Sequence, residues 1–270
     1  MSIKIVFRFA AIFIILLLSL PLNAHEYWLQ PGKFIFSEGE TIQINIKTGQ
    51  QFKGNSHAYL PDEVETMNLY VGDVTRKITP RFGAYPAIAK STLGKGLHLF
   101  AVTSQPTNLT YTEPGKFKKF TQDEGLDWVL QAHKKRGLPM VGFTESFRRY
   151  TKTLVHVENS NGEDKKVGLT FEWVLQPRLA KAENTPLTAK LWWQGKPFAN
   201  KYFRVFIRAQ GKLTETTSIT DEAGLATFQF IPNAEYLLNS VHMVLPDKKT
   251  LEDSDVVWDS RWASLTFKTN

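Results

Sequence analysis

His25 has the most chemistry to offer of any residue in the chain, because of what stands before it. Lys4 and Arg8 give a positive start, residues 10–20 are almost unbroken apolar sequence, and Pro21-Leu22-Asn23-Ala24 ends the run on a small residue. These are the three parts of a cleaved secretory leader, and the run is shorter than the roughly 20 apolar residues of a spanning helix. Cleavage after Ala24 makes residues 1–24 the leader and His25 the first residue of the working chain. That one residue then carries a free α-amine and an imidazole, and its Nδ1 and amine can close a six-membered chelate ring on a single metal ion. The amine titrates near pH 8, about two units below a lysine, so a metal can displace its proton at neutral pH. One more imidazole would complete a three-nitrogen histidine brace, a donor set suited to Cu(II), Ni(II) or Co(II). The aromatic and proline residues that follow, Tyr27, Trp28 and Pro31, argue that this end is tied down.

Five other histidines could supply the further imidazole: His57, His98, His133, His156 and His242. None forms a His-x-x-x-His or His-Glu-x-x-His pair, so the catalytic zinc motif is excluded. His98 alternates with Leu97 and Leu99 and faces the side opposite to theirs, while His242 precedes Met243 in the last hairpin. Either also reads as a hydrogen-bonded, half-buried histidine of the fold. His57 stands in a Gly-Asn-Ser loop, His156 reads as a strand residue, and His133 sits beside Lys134-Lys135-Arg136, which repels a cation. Glu145 has Arg148, Arg149 and Lys152 within reach as ion-pair partners, and Trp258 and Trp262 suit packing better than a sugar platform. Ser264 has no nucleophile elbow around it and no glycine-rich phosphate loop is present, so nothing marks a hydrolase.

The elements that must position these residues are mainly β. Residues 34–36, 41–47, 67–71, 87–89 and 96–103 read as short strands between Gly and Pro punctuation. Residues 113–136 change the texture: Phe117, Phe120, Leu126, Val129 and Leu130 are spaced for a helix, or for two meeting at Gly125. Residues 144–153 read as a polar link into a strand at 154–158, and 167–175 as a further strand. Residues 178–186 are polar, Ala-rich and end in proline, the best linker in the chain. Beyond it, strands at 187–193, 202–208, 225–230, 236–245 and 262–268 argue for a second β-sandwich. The expectation is therefore two β-sandwich domains. The first covers residues 25–177 with a helical insertion at about 113–150. The second covers 187–270 and looks transthyretin-like or carboxypeptidase-regulatory-like. The chain has no cysteine, which excludes disulfides, thiolate metal sites and a lipid-modified N-terminal cysteine. Its formal charge of +7 includes Lys4 and Arg8 of the leader, and the remaining basic residues are scattered, so no nucleic-acid partner is expected.

His25-Glu26-Tyr27-Trp28-Leu29-Gln30-Pro31, directly after the leader, is similar to the opening of a family of uncharacterised bacterial periplasmic proteins. Further matches follow at Gly96-Leu97-His98, Lys116-Phe117, Glu124-Gly125-Leu126, Glu145 and Arg149-Tyr150-Thr151-Lys152. They end with Val241-His242-Met243 and the run from Trp258 to Phe267. That family is described as nickel/cobalt-uptake-associated periplasmic components, often linked with outer-membrane TonB-dependent receptors. The resemblance implies His98 and His242 as partners of His25, with Glu124 and Glu145 orienting a ligand imidazole or serving the structure. The function expected is a periplasmic protein that binds nickel, cobalt or copper during uptake, with a TonB-dependent receptor or an inner-membrane metal transporter as partner. A metal-free structural or carbohydrate-binding β module is the alternative, and a copper oxygenase using the same brace a more distant one.

Overall fold

The computed structural model describes residues 26–158, 162–177 and 185–270. The leader, His25 and most of the expected linker lie outside the described residues. The first half of the chain runs β1 (Glu26–Pro31), β2 (Ile35–Phe36), β3 (Thr41–Gln50), β4 (Lys53–His57), β5 (Val64–Val71), β6 (Val74–Lys77), β7 (Ile88–Ser91), β8 (Gly96–Ser104) and β9 (Thr107–Tyr111). Helices α1 (Lys116–Asp123) and α2 (Asp127–Lys135) follow, then β10 (Phe143–Val157) and β11 (Phe171–Leu175). The remainder is β12 (Leu187–Trp193), β13 (Lys196–Pro197), β14 (Tyr202–Ala209), β15 (Lys212–Ile219), β16 (Leu225–Phe228), β17 (Glu235–Val244), α3 (Lys248–Asp253) and β18 (Val256–Lys268). Among the described residues no helix is long and apolar enough to cross a membrane.

The expected mainly β, sandwich-like fold is present, as three layers. A ten-stranded sheet in the order β15-β14-β17-β18-β10-β8-β5-β6, with β2 and β9 also on β10, forms the middle. Strand alternation gives it two apolar faces. On one face Met67, Leu69, Phe100, Val102, Val155 and Val157 pack against Ile42, Ile44 and Ile46 of the small sheet β1-β3-β4 with β7. Beyond that sheet the same face carries the helix pair, whose Phe117, Phe120 and Val129 pack on Val241, Met243, Trp258 and Trp262. On the opposite face Leu99, Leu154, Val205, Leu238 and Leu265 meet Phe171, Trp173, Ala189 and Leu191 of the sheet β11-β12-β13 with β16.

The packing does not divide at residues 178–186. Strand β11 from before the linker pairs antiparallel with β12 after it, Leu175 opposite Ala189. Strand β10 pairs in parallel with β18, from Thr144 opposite Val256 to Thr153 opposite Thr266. The two expected halves therefore share a sheet and a core. Residues 144–153 are likewise no link: they belong to the 15-residue strand β10 and most of them are buried. Several of their polar groups find partners on other strands. Glu145 accepts from Tyr111 and Ser260, Thr151 bonds Ser264, and Arg149 lies over the rings of Tyr27 and Phe147.

The helix pair forms as expected, and Gly125 makes the corner. Its φ is +64°, and a Cβ there would lie 2.4 Å from the Tyr202 ring. Both the left-handed backbone and the close approach select glycine. Gly125→Ala is expected to lower stability by about 1–3 kcal/mol, measured as a drop in the urea unfolding midpoint with an unchanged slope.

Candidate functional site

The first strand is fixed along its whole length. β1 pairs with β3 from Glu26 opposite Gly49 to Pro31 opposite Ile44. The Tyr27 and Leu29 carbonyls accept hydrogen bonds from the hydroxyls of Ser264 and Thr266 on β18, each at 2.6 Å. Trp28 is buried against Phe52, Phe206 and Leu237. Phe52 is delivered by the tight β3–β4 turn, where Gly49 and Gly54 stand opposite each other and a Cβ on Gly49 would meet the Lys53 carbonyl at 1.9 Å. Arg208 covers the Phe52 ring at 4.2 Å.

Glu26, the first described residue, lines a cavity of about 720 Å3 between this turn, the first helix and the central sheet. Gln50 and Gln51 from the turn, and Lys119, Gln122 and Asp123 from α1, form its rim. Helix α1 can present them because Phe117 and Phe120 anchor its other face. Glu124, just past the end of α1, points in beside Glu26. The Arg204 guanidinium, from β14, donates from Nη1 to Glu124 Oε1 at 2.7 Å and from Nε to Glu215 Oε1 at 2.8 Å, and its Nη1 lies in ion-pair contact with Glu26 Oε1 at 2.9 Å. Asn239 of β17 donates to the other oxygen of Glu124 at 3.4 Å. Glu26 is only 2% exposed, and its Oε2 is buried with no hydrogen-bond partner.

Three carboxylates share one guanidinium, so the cluster is short of positive charge. Burial pushes Glu26 up to about 7 against the pull of Arg204, and Glu124 rises to about 7 for the same reason. Burial pulls Arg204 down, but Glu124, Glu215 and Glu26 together more than reverse this and hold it firmly cationic. Burial and the neighbouring acids thus oppose full ionisation of the Glu26–Glu124 pair, while Arg204 favours it.

The structure does not gather the histidines. His98 is fully buried, and both its ring nitrogens are engaged: the Leu93 N–H donates to Nε2 at 2.9 Å and Nδ1 faces the Gly96 carbonyl at 3.2 Å. His242 is packed by Phe171, Trp193 and Phe198, and burial, then Lys201 and Arg261, push it down to about 4. His98 on β8 and His242 on β17 are three strand spacings apart across the sheet, about 14 Å, and seven residues, about 23 Å, apart along it, His98 level with Val155 of β10 and His242 with Arg148. They also face opposite sides of the sheet, His242 on the side away from Arg204 and Asn239. The sequence expectation that both would join His25 in one site thus has no support in the placement of these two residues. His133 accepts from the Trp258 indole at Nδ1 and meets the Pro139 carbonyl at Nε2, and His57 lies exposed on β4. Glu145 is buried, raised to about 7 by that burial, and bonded to Tyr111 and Ser260. Of the candidate site residues that the structure describes, Glu124 lies beside Glu26.

Among the described residues no three His, Cys, Asp or Glu side chains are grouped to hold a metal ion. The cavity supplies carboxylate oxygens, one of them without a partner, but no nitrogen donor. A transition metal would fit here only if His25, one peptide bond before Glu26, supplied its amine and imidazole. Sequence reasoning passed over Glu26, Arg204, Glu215 and Asn239. A sign of Arg204 was available, since it interrupts a strand (residues 202–208) whose other positions are almost all apolar.

A family model described as a domain of unknown function (DUF4198) matches residues 22–244, a span that crosses the expected linker. No curated protein matches the chain. A solved tetra-tandem repeat from the extending region of a large adhesion protein aligns with 92% of this chain at 8% identity and a TM-score of 0.22; the chain spans 50% of that structure's length.

Charge linkage at the cavity can be measured. A carboxyl raised from 4.5 to about 7 on folding holds a proton that the unfolded chain releases, so its stabilising contribution is lost as pH rises from about 4.5 through 7. His242 acts in the opposite sense, losing stability as pH falls below its ordinary value. The comparison must therefore be with a variant. Relative to Glu26→Gln, the unaltered protein is expected to gain about 1–3 kcal/mol as pH is lowered from 7.5 to 5, read by urea unfolding across that range.

Proposed function

The chain belongs to the DUF4198 family of domains of unknown function, and from that premise we propose that it binds a transition-metal ion in the bacterial periplasm. His25, as the first residue of the processed chain, serves as the chelating group, and the carboxylate cavity beside Glu26 as its acceptor. The observation that carries this reading is Glu26 itself: a buried side chain with an unpartnered carboxylate oxygen, on the residue that follows His25. A chelating terminus needs a fixed position to bind tightly, because a frayed end would lose that ordering entropy on binding. The pairing of β1 with β3 and its anchoring by Ser264 and Thr266 fix the backbone up to Glu26. The carboxyls of Glu26 and Glu124 add hard oxygen donors and negative charge, and a cation bound there releases protons from them. Nickel, cobalt and copper all suit such a mixed set of nitrogen and oxygen donors, and uptake or handling of one of them is the role proposed.

The processed protein is expected to bind one Ni(II), Co(II) or Cu(II) per chain, measured by titration calorimetry and elemental analysis. Replacing His25 with Ala, or placing one glycine ahead of it, should weaken binding at least about tenfold, or 1.4 kcal/mol. Glu26→Gln should weaken it less and lower the number of protons released on binding. Undiminished affinity in the glycine-extended protein would overturn the chelating terminus. No binding or thermal shift with any of the three metals would leave the metal-free β module as the answer.

A further inference from the structure

On the other face of the central sheet lies a second charged cluster, which the cavity does not use. Lys152 of β10 points into the core beneath the β11–β12 sheet, where its side chain is 1% exposed. Its Nζ lies 2.8 Å from Asp164 Oδ1, 3.1 Å from Glu172 Oε1 and 3.1 Å from the Lys165 carbonyl, and both carboxylates are fully buried. The partners are rigidly held. Asp164 Oδ2 accepts from the Leu175 N–H at 2.7 Å, and Glu172 accepts from the N–H groups of Val167, Gly168 and Leu169. Although Oδ1 of Asp164 is within ion-pair distance of Nζ, it is not aligned to accept a hydrogen bond from it.

From this geometry we infer that Lys152 and Asp164 are a site of spontaneous amide cross-linking, with Glu172 as the proton carrier. Three physical terms point the same way. An amine and a carboxyl held in contact by packed strands have the effective concentration of an intramolecular pair. In water the condensation is opposed because both groups ionise, and on the carboxyl side burial works against that ionisation. Burial also pushes the Asp164 carboxyl upward despite Lys152 and the Leu175 N–H. The product amide then replaces a buried ion pair, whose desolvation is costly, with a neutral group.

The step balances without a co-reactant. Glu172 takes a proton from the Lys152 ammonium, and the freed Nζ attacks Cγ of Asp164. The N–C bond forms, one C–O bond breaks, and the departing oxygen leaves as water. It carries two of the three ammonium hydrogens, one of them passed through Glu172. Glu172 ends as it began, a carboxylate under three backbone N–H donors. The remaining amide N–H has Glu172 Oε1 or the Lys165 carbonyl to bond. The link would tie the middle of β10 to the segment leading into β11, closing the central sheet onto the layer above it.

Mass spectrometry of the purified, denatured protein decides the matter. The expected result is an intact mass one water below that of the processed chain, with tryptic digestion yielding a branched peptide that joins Lys152 to Asp164. Lys152→Arg keeps the positive charge but cannot condense, and should restore the full mass. Glu172→Gln, checked for folding by circular dichroism, should accumulate the unlinked chain. A full-mass wild-type protein whose Lys152 and Asp164 fall in separate linear peptides would overturn the proposal. A cross-link formed equally fast in Glu172→Gln would overturn the part given to Glu172.

Discussion

The parallel pairing of β10 with β18 is the constraint on which the rest of the molecule depends. It joins residues more than a hundred positions apart, as with Thr151 and Ser264, in the middle of the ten-stranded sheet. Strands from both halves of the chain then lie on either side of one seam. Because β18 runs there, its Ser264 and Thr266 hydroxyls can reach down to the carbonyls of β1. Because β1 is held, Glu26 lies on Arg204 and not in solvent. The cavity at the start of the chain is thus built by residues near its end.

Burial of polar groups in this fold is settled in matched sets, one on each face of that seam. On the helix side, Glu145 receives the hydroxyls of Tyr111 and Ser260, and Ser260 in turn accepts from the Trp262 indole. On the opposite side Lys152 takes up two carboxylates. Such sets cost desolvation, and breaking one member leaves its partners buried and unpaired. The Arg204 cluster differs in kind. It has three carboxylates for one guanidinium and a cavity above it. That imbalance separates a place able to accept a ligand from a place that holds strands together.

What was legible in the sequence follows the same division. Strands such as residues 187–193 and 202–208 could be read from their apolar positions between turn residues. The helix pair could be read from Phe117, Phe120 and Val129 with Gly125 at the corner. Residues 144–153 could not, because Glu145, Arg149 and Lys152 look solvated until their partners on β18, β1 and β11 are known. The division into two domains was misleading for a related reason: a polar, proline-ended stretch is visible in one dimension, whereas the β10–β18 and β11–β12 pairings that span it are not. Glu124 was legible from its motif. Arg204 and Asn239 gained meaning only once β14 and β17 lay beside β1. The histidines misled because imidazoles suit structural roles equally well, and His98 and His133 spend both ring nitrogens on backbone and indole partners.

The position of β18 also bears on how the chain comes to be folded. β18 is flanked on one side by β17, made just before it, and on the other by β10, made about a hundred residues earlier. Until residues 256–268 emerge, β10 and β17 present open edges toward each other, and neither the cavity nor the core between the halves can close. Contacts of such long sequence separation form slowly, since loop-closure entropy must be met first. The ten-stranded sheet is therefore closed from within by β18, after the strands on both sides of it are available.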